Sequence, residues 1–159
     1  PDIEISLIDG NTARLYDETS NWILLIVYRG LHCPICKDYA TRFEHNLSKL
    51  QDMNTQLFFI SADPPEKAKI FAEELNLKSK IGYGLGIEEM RKLGLYVSEP
   101  RPNEVDYIFP EPGLLLINPK GRLHIIEISN APFVRPDINL ILRGINHIQK
   151  NNYPIRGTH

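Results

Sequence analysis

The chain has 159 residues, of which 42% are hydrophobic and 24% charged, an ordinary composition for one globular domain with a substantial core. Its formal net charge of −2 gives no electrostatic reason to expect nucleic acid or an anionic membrane as a partner. No apolar run approaches the roughly 18 residues that a membrane-spanning helix needs, and the first residues lack the basic start and apolar stretch of a signal peptide. We therefore expect residues 1–159 to form a single α/β domain.

The first half of the sequence predicts a β-hairpin followed by strands that alternate with helices. Apolar and polar residues alternate at the start, and Asp9-Gly10 marks the turn of the hairpin. Asp63 has the residue type of a helix N-cap, with Pro64 at the first helical position and Glu66 at the third. A strand, a helix and a strand in succession imply a right-handed crossover with parallel pairing. The predicted elements are a hairpin over 3–7 and 13–16, strands over 23–29 and 56–61, and helices over 34–50 and from 64 onward.

The second half predicts the remainder of a mixed sheet. Four prolines between residues 98 and 112 predict a long loop. Within it, Tyr107-Ile108-Phe109 is apolar and is interpreted either as part of a partner surface or as a short strand in the core. The other predicted elements are a helix over 87–93 ended by Gly94, strands over 114–117 and 123–128 joined by a turn, and a last helix opening at Pro136. The predicted architecture is a central mixed β-sheet with helices on both faces.

Cys33-Pro34-Ile35-Cys36 holds the only two cysteines of the chain and directly follows a predicted strand. A strand leading into a Cys-x-x-Cys helix is a thioredoxin-like redox motif. We expect Cys33 at the N-cap, where the free N–H groups of the first turn and the helix dipole favour its thiolate. Pro34 suits the first helical position because it lacks an N–H that would go unpaired there. Cys36, one turn further on, is placed to attack a mixed disulfide on Cys33.

Other uses of the two thiols are open but fit the sequence less well. A structural zinc site needs four ligands, and beside the pair only His32 is a further candidate. A purely structural disulfide gains little from closing so short a loop, and a helix start argues against inert buried thiols. Gly82-Tyr83-Gly84-Leu85-Gly86 lacks the spacing of a dinucleotide loop. We predict a redox-active pair with no metal and no cofactor, in a reducing, cytoplasmic setting.

The stretch from Tyr28 to Cys36, Tyr-Arg-Gly-Leu-His-Cys-Pro-Ile-Cys, resembles the peroxiredoxin-like branch of the alkyl hydroperoxide reductase and thiol-specific antioxidant (AhpC/TSA) superfamily. Ile60-Ser61-Ala62-Asp63 with Glu66, and the segment from Pro112 to Gly121, are similar to two further blocks of that superfamily. The resemblance covers nearly the whole chain. It implies a thioredoxin-like fold with an N-terminal β-hairpin and a thiol-dependent oxidoreductase that reduces peroxides or disulfides.

The sequence departs from true peroxiredoxins around the peroxide-reacting cysteine. Those proteins carry Pro-x-x-x-Thr-x-x-Cys, and here Ile26 and Gly30 stand at the Pro and Thr positions. Because the Thr hydroxyl orients peroxide, we expect slower peroxide reduction than in a dedicated peroxiredoxin. The superfamily's second-strand Arg is also absent near Pro112. Arg29 is predicted either to stabilise the Cys33 thiolate and bind a substrate oxygen, or to be a solvated charge at the strand edge.

Pro112 and His32 complete the predicted site. In thioredoxin-like folds a cis-proline faces the Cys-x-x-Cys motif, and the backbone beside it pairs with substrate. The resemblance places Pro112 there, with Pro110 as a competing candidate and an ordinary trans bond as the alternative. His32 is predicted either to add charge or accept a proton beside the thiols, or to be a solvated loop histidine. The predicted catalytic residues are Cys33, Cys36 and Arg29, and the predicted substrate-binding residues are Pro112, Gly30 and His32.

The predicted function is that of an antioxidant thiol oxidoreductase. Cys33 attacks a peroxide or a disulfide, and Cys36 resolves the product by closing the intramolecular disulfide. An external thiol reductant such as a thioredoxin or a glutaredoxin resets the pair, and assembly as a homodimer is left open. The alternatives are a thioredoxin-like protein disulfide reductase and a redox-regulated binding module without turnover.

Overall fold

The structure is a computed structural model that describes residues 3–159. Its strands are β1 (Glu4–Leu7), β2 (Thr12–Arg14), β3 (Trp22–Val27), β4 (Thr55–Ile60), β5 (Lys80–Tyr83), β6 (Val97–Ser98), β7 (Phe109–Pro110), β8 (Gly113–Ile117) and β9 (Leu123–Ile128). Its helices are α1 (Pro34–Glu44), α2 (Leu47–Asp52), α3 (Pro65–Glu74), α4 (Ile87–Lys92) and α5 (Ile138–Asn151). Strands and helices follow one another in the α/β order that the sequence predicts.

Within these residues, one mixed sheet has the strand order β2-β1-β5-β4-β3-β8-β9, and β6 pairs with β7 apart from it. β3 pairs in parallel with β4, and β4 with β5, whereas β8 runs antiparallel to both β3 and β9. Each of these two parallel pairs flanks helices in the chain, as the sequence predicts for a strand, a helix and a strand in succession. The N-terminal hairpin is confirmed, because β1 and β2 pair with Ile5 opposite Ala13.

Helices cover both faces of the sheet because successive strand residues point to opposite sides. On one face Leu24 and Ile26 of β3 pack in a cluster with Phe43 of α1 and with residues of α3 and α5. On the other face Leu25 packs in a second cluster with Met90 of α4. All of these side chains are buried. Burying such a side chain contributes about 1.5–3 kcal/mol, so the central strand anchors both cores.

The register of the central strands brings three chain segments to one edge of the sheet. Val27, the last residue of β3, lies opposite Ile60 at the end of β4 and Gly113 at the start of β8. The residues that follow β3, those that follow β4 and those that precede β8 therefore meet there. The Cys-x-x-Cys loop belongs to the first of these segments.

The helix predicted over residues 34–50 is two helices, and that prediction is wrong. α1 ends at Glu44 and α2 begins at Leu47. Asn46 interrupts the helical ladder: its backbone N–H donates to the Phe43 carbonyl, and its side-chain Nδ2 donates to the Arg42 carbonyl, each at 2.9 Å. A side-chain donor thus replaces the backbone donor that a continuous α-helix would use at Arg42.

The start of α3 is a second correction. Pro64 is the N-cap and Pro65 the first helical residue, so the helix begins one position later than predicted. Asp63 does not cap it. The Asp63 carboxylate is fully buried and accepts a hydrogen bond from the Leu31 N–H at 2.7 Å. Asp63 therefore binds the backbone of the loop before Cys33 and not the first turn of α3.

Most of the remaining differences between the predicted and the observed elements are short strands. The sequence does not predict β5, whose four residues include Gly82 and show no apolar alternation. β7 lies within the predicted loop, and β6 overlaps its first residue, Ser98. Phe109 at the start of β7 is fully buried, which favours the core interpretation of this stretch. α5 starts at Ile138, behind Asp137 as N-cap. In residues 3–159 no helix combines the length and apolar character needed to cross a bilayer.

Candidate active site

Cys33 and Cys36 lie at the start of α1, just beyond the loop that follows β3. Cys33 is the N-cap, and its Sγ accepts a hydrogen bond from the Cys36 N–H at 3.2 Å. Pro34 is the first helical residue, as the sequence predicts. The two Cα atoms are 5.3 Å apart, and the sulfurs form a disulfide across the first turn. Cys33 is 2% and Cys36 1% exposed, so the donor acts on the Cys33 sulfur away from bulk water.

Gly30 allows the loop before Cys33 to approach a buried carboxylate. Its φ is +143°, and a Cβ at this position would lie 2.7 Å from Asp63 Oδ1 and 2.9 Å from His32 Nδ1. Its carbonyl accepts the Cys33 N–H at 3.1 Å. Any side chain at position 30, including the Thr of true peroxiredoxins, would collide with these neighbours.

Asp63 joins the loop before Cys33 to the segment between β6 and β7. Its Oδ2 accepts the Leu31 N–H and its Oδ1 accepts the Tyr107 hydroxyl, each at 2.7 Å. The Lys67 ammonium donates to the Tyr107 oxygen at 3.1 Å, so the phenol lies between a cation and a carboxylate. These partners are 32 and 44 residues from Asp63 in sequence, which is why no local pattern reveals its role.

Arg29 is held between carboxylates and is not a solvated charge. Its Nε lies 3.1 Å from Glu111 Oε2, and an Nη lies 3.8 Å from Glu104 Oε1. The guanidinium also lies over the Phe109 ring, 4.9 Å from its centroid, and the side chain is 15% exposed. Among the described residues no hydrogen bond or ion pair joins Arg29 to either cysteine. Its predicted role at Cys33 stays a prediction.

His32 packs edge-on against Phe109, with 4.9 Å between the ring centroids. Both of its ring nitrogens are buried, and neither has a hydrogen-bond partner within residues 3–159. Burial, and next the positive charge of Arg29, lower the pKa of His32 below its ordinary value of 6.5, although the Asp63 carboxylate opposes this shift. The environment therefore favours the neutral imidazole, which can accept a proton but adds no charge beside Cys33.

Pro112 is buried directly before β8, where the sequence places it. Its peptide bond is trans, since residues 3–159 contain no cis peptide bond. The cis bond that the resemblance implies for Pro112, with Pro110 as the competing candidate, is therefore wrong, and the trans alternative is correct. The Pro112 carbonyl accepts the Ser129 N–H at 3.0 Å, and the N–H of the preceding Glu111 donates to the Tyr96 carbonyl at 2.8 Å. A substrate-binding role for Pro112 stays a prediction.

Arg135 is a site residue that sequence reasoning missed. It lies between β9 and α5, and its Nη2 is 3.0 Å from Cys36 Sγ. The guanidinium lies over the Tyr39 ring at 4.9 Å, and the Tyr39 hydroxyl donates to the Pro136 carbonyl at 2.8 Å. A separation of 99 residues from Cys36 leaves no spacing that could reveal this contact.

The groups gathered at this edge of the sheet suit sulfur chemistry. They comprise a disulfide, a backbone N–H aimed at one sulfur, a guanidinium on the other and a neutral imidazole nearby. Such donors stabilise thiolates, which attack peroxide oxygens and disulfide sulfurs. Within the described residues no group of three or more His, Cys, Asp or Glu side chains could hold a metal ion.

A thioredoxin-like sheet that carries a Cys-x-x-Cys disulfide beyond its central strand defines a class, the thiol oxidoreductases. Within that class, the model of the AhpC/TSA family matches residues 1–126, and the chain belongs to this family. It is accordingly a peroxidase-type thiol oxidoreductase, and membership implies a peroxide substrate and a thioredoxin-type reductant. The resemblance carried by Tyr28 to Cys36 is confirmed.

Solved structures agree on the fold. A cysteine mutant of peroxiredoxin 6 from Arenicola marina superposes with a TM-score of 0.81 at 17% identity, covering 96% of this chain and 72% of that one. A peroxiredoxin-like protein from Aquifex aeolicus gives 0.78 at 14% identity, covering 93% and 84%. Peroxidoxin BcpB from Mycobacterium tuberculosis gives 0.75 at 18% identity, covering 93% and 94%. Comparison with curated proteins gave no match.

Proposed function

We propose that the chain reduces peroxides with Cys33 as the nucleophile and Cys36 as the resolving thiol. The observation that carries this assignment is the position of Cys33 at the N-cap of α1, with the Cys36 N–H donating to its sulfur. A helix N-terminus stabilises a thiolate there, and the thiolate is the reactive form. Cys36 is the third residue of α1 and is not at the N-cap, so its sulfur is not the one that the free N–H groups of the first turn stabilise.

The reaction balances with these two thiols and one external reductant. The Cys33 thiolate attacks a peroxide oxygen, the O–O bond breaks, and the leaving alkoxide or hydroxide takes up a proton. Cys33 is thereby oxidised to a sulfenic acid. The Cys36 thiolate attacks that sulfur, and hydroxide leaves as water after protonation, which closes the disulfide. A dithiol then reduces the disulfide and becomes oxidised itself.

The backbone around Pro112 favours a small peroxide over an extended protein chain. Thioredoxin-like disulfide reductases use free backbone groups at this position to pair with a substrate strand. Here the Glu111 N–H and the Pro112 carbonyl are already bonded to Tyr96 and Ser129. A protein substrate would have to displace these bonds, whereas a hydroperoxide needs only access to one sulfur.

The remaining predicted site residues are assigned supporting roles. Gly30 leaves the space in which Asp63 fixes the loop before Cys33, and neutral His32 is available to accept a proton. Arg29 pairs with Glu104 and Glu111 and thereby holds the segment between β6 and β7 and the residues before β8 against the end of β3. Since no Thr hydroxyl orients the peroxide, we expect slower turnover than in a dedicated peroxiredoxin.

The setting of the enzyme follows from its redox chemistry. We propose a thioredoxin or a glutaredoxin as the reductant, and the cytoplasm as the compartment, since both cysteines serve the catalytic pair and none remains for a structural disulfide. A homodimer is an additional proposal, for which β9 offers an edge strand with the exposed Ile126. A net charge of −2 provides no basis for nucleic-acid binding.

Single and double cysteine variants test the proposed function. Wild type, Cys33→Ser, Cys36→Ser and the cysteine-free double variant are assayed with hydrogen peroxide, an organic hydroperoxide and a disulfide-bonded peptide, coupled to thioredoxin. We expect turnover by wild type alone, faster with a hydroperoxide than with the peptide. Cys36→Ser should carry a dimedone-reactive sulfenic acid on Cys33, detected by mass spectrometry.

Three other outcomes would contradict the proposal. Turnover retained by Cys33→Ser contradicts the assigned nucleophile. Faster reaction with the peptide indicates a protein disulfide reductase. A wild type that cycles between its two redox forms without turnover is a redox-regulated binding module.

A further inference from the structure

Arg135 makes an unusual contact for a half-buried arginine. Its Nη2 is 3.0 Å from Cys36 Sγ, its Nε donates to the Pro132 carbonyl at 2.8 Å, and its guanidinium lies over the Tyr39 ring. Burial lowers the pKa of Arg135 because water no longer solvates the cation fully. The residue comes from a loop that is far from α1 in sequence, and its head group reaches the redox sulfur.

The charge of Arg135 has no carboxylate partner. Within residues 3–159 no Asp or Glu oxygen lies within ion-pair distance of it, in contrast to Arg29, which is paired with Glu104 and Glu111. Even partial removal from water is costly for a cation without an anion, and the face of Tyr39 compensates only in part. In the oxidised state the guanidinium thus lies at contact distance from a sulfur that is neutral.

We propose that Arg135 is a catalytic residue that receives the negative charge of Cys36 when the disulfide is opened. This inference rests on the proposed function. An external thiolate attacks Cys33 Sγ and forms a mixed disulfide, the bond between Cys33 and Cys36 breaks, and its electron pair stays on Cys36 as a thiolate beside the guanidinium. A second thiol of the reductant then attacks the mixed disulfide and releases Cys33 as a thiolate. A leaving thiolate of lower pKa departs faster.

The two sulfurs accept hydrogen bonds from different donors. The Cys36 N–H points at Cys33 Sγ, while the Arg135 guanidinium contacts Cys36 Sγ. The same contact keeps Cys36 ionised when it attacks the Cys33 sulfenic acid in the oxidative half of the cycle. The other charged or titratable groups that act on Arg135 are Tyr39, Arg29, Glu111 and Arg42. Of these only Tyr39 contacts the guanidinium, and it does so through its ring.

The test isolates Cys36 in a Cys33→Ser background, where thiolate absorbance against pH gives the pKa of one thiol. Arg135→Met keeps the apolar packing on Tyr39 and removes the charge, and it should raise the pKa of Cys36 by at least about one unit, a tenfold loss of thiolate near neutral pH. Arg135→Lys keeps the charge on a point donor and should give an intermediate value.

The matched control is Arg42→Met. Arg42 also lies over the Tyr39 ring, at 5.5 Å, but it is exposed, paired with Asp38 and, within the described residues, has no contact with Cys36. We expect Arg42→Met to leave the pKa of Cys36 unchanged. An equal shift in both arginine variants, or none in Arg135→Met and Arg135→Lys, would overturn the proposal.

A kinetic measurement in the two-cysteine protein separates this proposal from the proposed function. Reduction of the disulfide by dithiothreitol at neutral pH should be about threefold slower in Arg135→Met than in wild type, because only about half of the effect of one pKa unit is expressed in the transition state of thiol–disulfide exchange. Reduction at the wild-type rate contradicts the leaving-group role. If the pKa shift and the slower reduction are found but wild type fails to turn over peroxide, the proposed function fails and the role of Arg135 stands.

Discussion

Gly30 shows how one residue can be required both by the backbone and by a neighbour. Gly30→Ala places a side chain on a positive φ and brings a Cβ within 2.7 Å of Asp63 Oδ1. Gly10→Ala is the matched control, because Gly10 also has a positive φ but a Cβ added there would meet none of the described residues beyond its chain neighbours within 4 Å. The control should cost about 1–2 kcal/mol of unfolding free energy. Gly30→Ala should cost roughly 1–3 kcal/mol more, because of overpacking.

Urea unfolding of the oxidised proteins measures both values. Equal losses in the two variants would mean that the contact with Asp63 places no constraint on position 30. The same collision explains why restoring the Thr of true peroxiredoxins at this position should not create a faster peroxidase.

His32 gives the stability of the protein a dependence on pH. Its pKa is lowered in the folded state, chiefly by burial, so below pH 6.5 the unfolded chain binds a proton that the folded chain resists. This contribution to stability is full above about pH 6.5 and is lost as the pH falls through the folded pKa. His124 acts in the same direction, because burial lowers its pKa as well.

His32→Phe should therefore flatten the decline of stability on the acid side while retaining the contact with Phe109. Unfolding free energies at intervals between pH 5 and 7.5 measure the slope in wild type and variant, with a His32→Phe, His124→Phe double variant expected to be flatter again. An unchanged slope in His32→Phe would show that the imidazole titrates normally in the folded protein.

At the scale of elements, the segment between β6 and β7 is fastened to the site by Tyr107. Tyr107→Phe removes the hydroxyl that donates to Asp63 and accepts from Lys67. Hydrogen bonds to charged groups contribute about 1.5–3 kcal/mol, and we expect a loss of that order. Amide hydrogen exchange should quicken in residues 99–108 and at Leu31, whose N–H shares the carboxylate.

Tyr96→Phe is the control for the loss of a phenol, because Tyr96 is 56% exposed. It should change neither stability nor exchange. If the two variants behave alike, the contact of Tyr107 with Asp63 does not hold the segment.

The elements that the sequence predicts are those whose own residues determine them. Buried strands contain continuous apolar runs, as in β3, β4 and β8. Helices with one buried face contain apolar residues at helical spacing, as in α1 and α5. The break after α1 could not be predicted, because the Asn46 side chain and backbone compete for nearby carbonyls. β5 is too short to show a pattern and forms because β1 and β4 lie on either side of it.

At the scale of the whole molecule, the sequence predicts the sulfur chemistry but not the groups that surround it. Cys33 and Cys36 are close in sequence and their geometry is local to one helical turn. Asp63 and Arg135 reach the site only because the strand order places the ends of β4 and β9 near the carboxyl end of β3. Contacts across such distances depend on the complete topology, which composition and spacing do not encode.

The confinement of both sulfurs to one helical turn also determines how the enzyme responds to excess oxidant. A sulfenic acid on Cys33 faces two competitors, a second peroxide molecule that would carry it to the irreversible sulfinic acid, and the Cys36 thiolate. With the Cα atoms 5.3 Å apart, the thiolate needs no unfolding of α1 to reach it, and an intramolecular nucleophile acts at a very high effective molarity. We therefore expect closure of the disulfide to outpace the second oxidation, which would protect the enzyme from inactivation by its own substrate.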